Sequence, residues 1–567
     1  MKGHPLRSLV CAAIAFAMAA PAFAEVSNCL AGHGFSDQEM LSTNLQQLDT
    51  DVVLDRPLSL EKIRIFQQDI FLNPKTRFYR ELNKWHPSTK PATILSRLPF
   101  QIQKNDQVDQ ALVEEAERIL RALPYFYDAR VLVKQICATT VDLDVVVREV
   151  WTLTPDISIS REGGESEYEI GIADTNWRGS GKAVSLAYEQ KLEEERFELK
   201  YQDHPRRNRW LRSISTQIGP NAYRYAISIE QPFLATNTSS AVGVSATSAR
   251  ILKKLYVRGK ELTRFDTTIR KASFYRAKLM KRASSDRRYA RTYLGLRYLS
   301  EDLQPTLIHQ NQVFTAKDEA VIYPFIGWES TSNRFAKLPH FFHLGRDEYI
   351  NLGWNAYVEL GYGQSDLPSD GSSIHFSYKL ARRWLFDDQH IATANLNLDG
   401  RFSGHDFQPD NLISTLRTQY LHTLDPTSKL YVSVDLAHGR NLDHFRFFEI
   451  GGQTGMRGYP NHFQTGTRKY KLVMEYRYET SFRPLNLFAL GFVGFAEIGK
   501  AWFSNPPEPW AHRTQHQILK DVGIGVRLHS LRTGSDQTIH LDLARPLTNH
   551  TPSSAYEVSF TVRRRFL

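Results

Sequence analysis

From about Ile157 to the C-terminus, roughly 400 residues, one pattern recurs: every second residue is apolar, and those between are polar or glycine. Tyr223, Tyr225, Ile227 and Ile229 stand against Arg224, Ala226, Ser228 and Glu230. Leu430, Val432, Val434 and Leu436 repeat the scheme, as do Tyr470 to Tyr478, Val522 to Leu528, and Ile539 to Leu543. A longer run sets Ile350, Leu352, Trp354, Ala356, Val358, Leu360 and Tyr362 on one row. This is the period of a strand with two unlike faces. Soluble antiparallel sheets alternate too, but their apolar rows must meet a second layer, so some elements should be apolar on both faces. Hardly any segment here is. A single sheet with its apolar row in lipid fits better, and it has to close, because backbone groups in hydrocarbon must all be paired. At roughly 25 residues per strand and connection, about 16 strands are expected. The predicted fold class is thus an all-β transmembrane barrel over 157–567, with Tyr349, Trp354, Tyr470 and Tyr478 suited to interfacial girdles.

The N-terminus predicts export. Lys2 and Arg7 precede an apolar run from Leu9 to Ala20, followed by Ala22-Phe23-Ala24, the layout of a signal peptide over 1–24. Beyond Ala24 no run of about 18 apolar residues is present, so no spanning helix is expected. The mean hydropathy of −0.41 is that of a soluble protein, or of strands that hide their hydrophobicity by alternation. Without Lys2 and Arg7 the balance is 69 basic against 61 acidic residues. That mild excess suits anionic lipid head groups and argues weakly for nucleic acid.

Residues 25–57 carry an amphipathic helix over Asp37–Leu48, with linker, cap and plug all open as roles. Residues 58–156 read as a small α+β domain. Leu60–Phe66 alternates as a strand, and Asp109–Leu123 reads as a helix with Leu112, Ala116, Ile119, Leu120 and Leu123 on one face. Asp106 is its expected N-cap and Pro124 its stop. Ala129–Gln135 and Val141–Val150 follow as strands. Two cysteines remain in the mature chain, Cys29 and Cys137, either bonded in an oxidising compartment or two buried thiols. No Cys/His cluster has metal-site spacing.

Several stretches resemble one superfamily, the outer-membrane assembly factors and translocators of the BamA and TamA kind (surface antigen family) together with the two-partner-secretion transporters. Ile94–Phe100, Asn105–Asp109, Glu114–Arg118 and Leu120–Phe126 resemble the core of a POTRA domain. Asn176-Trp177-Arg178-Gly179-Ser180-Gly181-Lys182 is similar to the glycine-containing opening of the family's barrel. Arg457-Gly458-Tyr459, within Gly451–Tyr459, resembles the motif at the tip of the sixth extracellular loop, which folds into the lumen. Phe495-Ala496-Glu497-Ile498-Gly499 resembles the Phe-x-Asp-x-Gly strand whose acid receives the loop arginine, with Glu497 in place of Asp. Tyr556, Val558, Phe560 and Val562 resemble a last strand bearing the assembly signal, although the chain ends Phe566-Leu567.

The resemblance implies one POTRA domain, over 58–156, ahead of a 16-stranded barrel. Parity agrees about the acid independently: Phe495, Glu497 and Gly499 share one face, and Leu490, Phe492, Ala496 and Ile498 the other. An inward Glu497 needs a cation, and Arg457 offers a fork; exchanging the two charges is then expected to restore what either reversal loses.

Catalytic signatures are absent: there is no Gly-x-Ser-x-Gly elbow and no His-Glu-x-x-His helix. The expectation is a non-enzyme without cofactor or metal, with no nucleic-acid partner, monomeric, and in contact with outer-membrane lipid and lipopolysaccharide. It is expected to insert extended client polypeptides into the outer membrane or move them across it, capturing them by strand addition in the periplasm, with Val141–Val150 as the strand to probe. A non-transporting anchor is the second reading and an outer-membrane lipase the third.

Overall fold

The computed structural model describes residues 29–564 except 49–51, 75, 102–105, 192–193, 205–209, 237, 284–287, 308–318, 333, 340–346, 366–370, 404–407, 443–445, 485–487, 506–516, 531–536 and 549–554. The signal peptide and the terminal Phe566-Leu567 therefore lie outside the described residues.

The N-terminal domain is a five-stranded sheet of β1 (Leu30–Ala31), β2 (Leu58–Gln68), β3 (Gln107–Val108), β4 (Phe126–Ile136) and β5 (Thr140–Glu149), in the order β1-β4-β5-β2-β3. Its helices are α1 (Asp37–Ser42), α2 (Arg77–Trp85), α3 (Pro91–Leu95) and α4 (Gln110–Arg121). The apolar stripe of α4 closes one face of the sheet, packing Leu112, Val113, Ala116 and Leu120 with Val131, Val133, Leu143, Val145 and Val147. The cap of α4 is Asp109, whose carboxylate accepts from the Leu112 N–H at 2.8 Å, and not Asp106, which instead accepts from the Gln101 N–H. The correction reflects reach, since a cap must sit directly ahead of the first turn.

Within the N-terminal segment, Cys29–Leu48 take on a definite part. Met40, Leu45 and Leu48 cover the second face of the sheet over Leu132 and Val146, and β1 extends it beside β4. The expected helix is shorter, ending at Ser42 before a 3-10 turn at Leu45–Gln47. Cys29 and Cys137 form a disulfide that ties this cover to the start of β5's hairpin. Beneath it, Asp144 is fully buried and accepts from Arg64 and from His33 Nε2 at 2.9 Å. Strand β5, Val141–Val150 in the sequence reading, is central: it pairs parallel with β2 and antiparallel with β4. It is no edge, because its alternation of Val and Leu is that of a strand covered on both faces. β2 has an open outer side, with no ladder partner beyond Ser59 among the described residues, whereas the outer side of β4 runs beneath β1 and the N-terminal cover.

From Leu153 to Arg564 twenty antiparallel strands close into a barrel, each beside its neighbour in sequence. The expected 16 is corrected: many strands are only 8 to 10 residues long with tight turns, so each strand and its connection consumes less than the roughly 25 residues assumed. The alternating rows lie as their chemistry dictates. Ile170 and Ile172, Leu294 and Leu296, and Leu541 and Leu543 are all exposed on the outer wall, with Ile170 63% exposed, as only a membrane protein tolerates in such a continuous belt.

The run Ile350–Tyr362 is not one strand. Ile350 belongs to a hairpin, Phe335–Pro339 with Asp347–Asn351, inserted between the tenth and eleventh barrel strands, and the barrel resumes at Trp354. The Asn351 side chain turns the chain by accepting from the Gly353 N–H at 2.8 Å, and a Cβ at Gly353 would sit 1.8 Å from the Ser332 carbonyl oxygen. The hairpin's Ala336 and Ile350, with Leu352, pack on Ile391, Leu421 and Tyr431 of the barrel wall.

Nor does the barrel open at Asn176–Lys182. That stretch connects the second strand (Glu165–Asp174) to the third (Lys182–Lys191) and receives the N-terminal domain. Arg97, fully buried, donates to the carbonyls of Gly181 and His204, and Thr93 Oγ1 donates to that of Gly179 at 3.0 Å. Farther round the rim, Glu115 accepts from Thr236 through both carboxylate oxygens. The Arg118 guanidinium lies 4.1 Å from the centre of the Phe335 ring on the hairpin.

Candidate functional site: the lumen clamp and the seam

The fifteenth and sixteenth strands, Ser428–Arg440 and Arg468–Glu479, are joined by a long loop at the end of the barrel away from the N-terminal domain. With twenty strands it is the eighth connection at that end, not the sixth. Gly451 and Gly455 have φ of +138° and +90°, conformations that favour glycine, and they let the loop double back into the lumen.

Its tip is held by charge. Arg457 Nε donates to Glu497 Oε1 at 2.9 Å, and the Arg457 backbone N–H donates to Glu497 Oε2 at 2.7 Å. Glu475 accepts from Nη2 at 2.6 Å and Asp542 from Nη1 at 3.2 Å. The guanidinium also lies over the Phe495 ring, 3.6 Å from its centre. Glu497 is 3% exposed, so it faces the lumen as parity predicts. Next to Arg457, the Gly458 N–H donates to Asp521 at 2.9 Å, and the buried Tyr459 hydroxyl donates to the Lys520 carbonyl at 2.7 Å. Gly499 is the place where the loop touches the wall, since a Cβ there would lie 2.4 Å from Ile450 Cδ1.

All six motif residues, Arg457, Gly458, Tyr459, Phe495, Glu497 and Gly499, thus lie at one junction. Of the three acids only Glu497 stands in a stretch that resembles a motif. Glu475 and Asp542 both stand in polar rows, so their inward direction was legible, but their meeting at one guanidinium depends on register across strands sixteen, seventeen and nineteen. The pairwise exchange of Arg457 and Glu497 therefore no longer follows as a rescue, because two further carboxylates remain.

The same loop grips the other side of the barrel's closure. Asn461, 4% exposed, donates through Nδ2 to the Glu162 carbonyl at 3.0 Å and to Glu165 Oε2 at 2.6 Å, and its N–H donates to the Gly163 carbonyl at 3.1 Å. These groups form the turn between the first two strands. The closure itself is slight: among the described residues the first strand, Leu153–Glu162, and the last, Glu557–Arg564, share one ladder pair, Phe560 with Arg161. Every other pair of wall neighbours shares six or more. Side chains supplement it, Thr561 to Glu162 at 2.5 Å and Glu557 to the Gly164 N–H at 3.0 Å.

Residues 348–566, the last ten barrel strands with the loop and its acids, match the Omp85 superfamily domain. The chain carries an Omp85 superfamily domain. The Omp85 segment thus contains Arg457, Glu475, Glu497, Asp542 and Asn461 together. Solved structures with a similar course include BamA from Haemophilus ducreyi lacking POTRA domains 1–3, at 12% identity over 89% of this chain and 84% of that one, TM-score 0.43. CdiB from Acinetobacter baumannii follows at 12% identity over 89% and 74%, TM-score 0.42, and CdiB from Escherichia coli at 10% over 93% and 96%, TM-score 0.37. No curated protein matches the chain. Among the described residues no group of His, Cys, Asp and Glu is arranged to hold a metal ion, and no helix is long and apolar enough to cross a membrane.

Proposed function

We propose that this Omp85-domain protein is a monomer that inserts client polypeptides into the outer membrane by parting the seam between its first and last strands. The observation that carries the reading is the single ladder pair at that seam. Backbone groups there are the least costly of the wall to separate, and once separated they form strand edges that a client strand can complete. Passage through the lumen is less favoured, because the clamped loop occupies it.

In this reading the N-terminal domain, a POTRA-like unit running from Leu58 to Glu149 beneath the cover of Cys29–Leu48, lies in the periplasm, and the expected boundary at 156 moves back because the first barrel strand already starts at Leu153. The outer belt meets phospholipid and lipopolysaccharide. The free edge of β2 offers the first contact to an extended client, and no catalytic step is required. The grip of Asn461 on the first hairpin favours the second reading, a barrel that stays shut and serves as an anchor.

An engineered bridge separates them. Arg161→Cys with Phe560→Cys staples the facing pair, and client insertion into proteoliposomes is assayed before and after reduction, with wild type treated alike to control for Cys29–Cys137. Insertion blocked by the staple and restored by reduction is expected. Equal insertion in the stapled and reduced states overturns lateral opening.

A further inference from the structure

Helix α2 reads Arg77-Phe78-Tyr79-Arg80-Glu81-Leu82-Asn83-Lys84-Trp85, and the N-terminal domain holds it by one side. The Tyr79 ring lies 4.6 Å from that of Phe71, centre to centre. Asn83 donates to the Phe71 carbonyl at 3.0 Å and accepts from its N–H at 3.1 Å. Phe78 and Trp85 stand two turns apart on a different face, and they are 66% and 77% exposed. Two bare aromatics in register on one helix face mark a contact surface. One residue back from each, Arg77 and Lys84 line the flank about 100° round the helix. Both are exposed, Lys84 in a surface pair with Glu81 at 3.0 Å. An apolar stripe with a cationic flank suits a helix lying in a bilayer interface.

Where the helix ends decides what covers it. His86 Nε2 lies 2.7 Å from Glu149 Oε2, and the Thr89 N–H donates to Glu149 Oε1 at 2.6 Å. Asn176 of the barrel rim donates to Thr89 Oγ1 at 2.8 Å, and the Lys90 N–H donates to the Gly179 carbonyl at 2.9 Å. The end of α2 is therefore fixed to the rim. The His86 ring is 6.2 Å from that of Trp151, which stands two residues before Leu153. Leu153, Ile157 and Ile159 are the exposed, lipid-facing row of the first strand, and Trp151 shares their parity, with buried Thr152 between. Trp177 and Trp210, also exposed, stand on the same rim. Tryptophans gathered at one end of an apolar belt mark the level of the bilayer interface. Trp85 and Phe78 extend that level outward from the first strand.

We propose that α2 lies in the membrane interface on the N-terminal domain's side of the bilayer. Phe78 and Trp85 enter the acyl boundary, and Arg77 and Lys84 meet the headgroups of anionic phospholipid. The proposal rests on the barrel standing in a membrane and not on how clients move. A protein partner is the competing occupant of this face, but the adjoining apolar belt and the cationic flank favour lipid.

Nitroxide labels on the full-length protein test it, in vesicles of phosphatidylethanolamine with phosphatidylglycerol. One cysteine is introduced at a time: Phe78→Cys, Trp85→Cys, Arg80→Cys about 200° round the helix from Phe78, and Ile170→Cys on the outer wall. Cys29 and Cys137 stay bonded and take no label. Relative to the label at 80, those at 78, 85 and 170 should favour collision with oxygen over a water-soluble nickel chelate several-fold. Either label on the apolar face suffices if the other variant misfolds. Exchanging phosphatidylglycerol for phosphatidylcholine, or adding Arg77→Gln, should shift the label at 85 toward the chelate; no shift would strike the headgroup contact. A lipid-exposed label at 170 with labels at 78 and 85 open to the chelate overturns the proposal alone. A label at 170 open to the chelate overturns the membrane reading with it. Benzoylphenylalanine in place of Trp85 that crosslinks in cells to a protein of defined mass, rather than to lipid, gives the face to a protein partner and overturns the proposal too.

Discussion

The amide of Asn461 lies 2.6 Å from the Glu165 carboxylate, so a residue four positions after Arg457 fastens the first hairpin while Arg457 fastens strands sixteen, seventeen and nineteen. One loop therefore bridges both sides of the closure. Asn461→Ala removes the donors to Glu162 and Glu165 and leaves a buried carbonyl short of a partner, a cost of about 1–3 kcal/mol. Hydrogen exchange of the Leu153–Glu162 amides should quicken selectively, while amides of Phe488–Trp502 stay protected. Unchanged exchange in the first strand would show that the grip carries no load.

Arg457→Ala leaves Glu475, Glu497 and Asp542 without their shared cation and is expected to destabilise the barrel by about 3–5 kcal/mol. Thermal unfolding in detergent and protease sensitivity of the loop read this out. Arg457→Lys falls between, because an ammonium cannot serve three acids and a ring in one plane. The double exchange Arg457→Glu with Glu497→Arg should fail to restore stability, since Glu475 and Asp542 would face a new carboxylate. Full rescue by the exchange would mean that Glu497 alone matters.

Cys29→Ser with Cys137→Ser opens a covalent loop spanning a sequence separation of 108 residues. In the chain-entropy picture a loop of that size contributes about 4–5 kcal/mol, with measured values often smaller. The N-terminal domain should therefore lose protection from exchange around Met40, Leu45 and Leu132, with barrel unfolding unaffected. Equal protection with and without the bond would contradict the role of Cys29–Leu48 as a cover for the sheet.

Burial holds His33 below the ordinary imidazole value of 6.5, against the pull of Asp144 and together with the repulsion of Lys134 and Arg64. The folded domain thus prefers the neutral ring. Its stability is present above 6.5 and is lost as pH falls, because the unfolded chain takes up the proton first. Exchange protection of β4 and β5 in the full chain should drop on acidification from 7 to 5, and His33→Gln should flatten that slope relative to wild type. The same slope in both proteins would remove His33 from the cause.

The barrel was legible because lipid outside and water inside impose alternation on every strand, and no other solvent arrangement demands it for so long. Glu497 was legible for the same reason. Strand number was not, because alternation says which way a residue points and nothing about how short its turns are. The hairpin at Phe335–Asn351 hid for a related cause: Ile350 continues the parity of Trp354, and only Asn351 with Gly353 marks the break. Glu475, Asp542 and Asn461 escaped because their roles depend on which strands register beside the loop. Asp109 rather than Asp106 as the cap was a matter of three residues.

Arg97 holds the rim beside the first few strands, and Arg118 rests on Phe335 between the tenth and the eleventh. These two anchor points lie about a third of the barrel's circumference apart. The domain thus spans the mouth as a chord, and a load it takes is shared between two separate arcs of the cylinder.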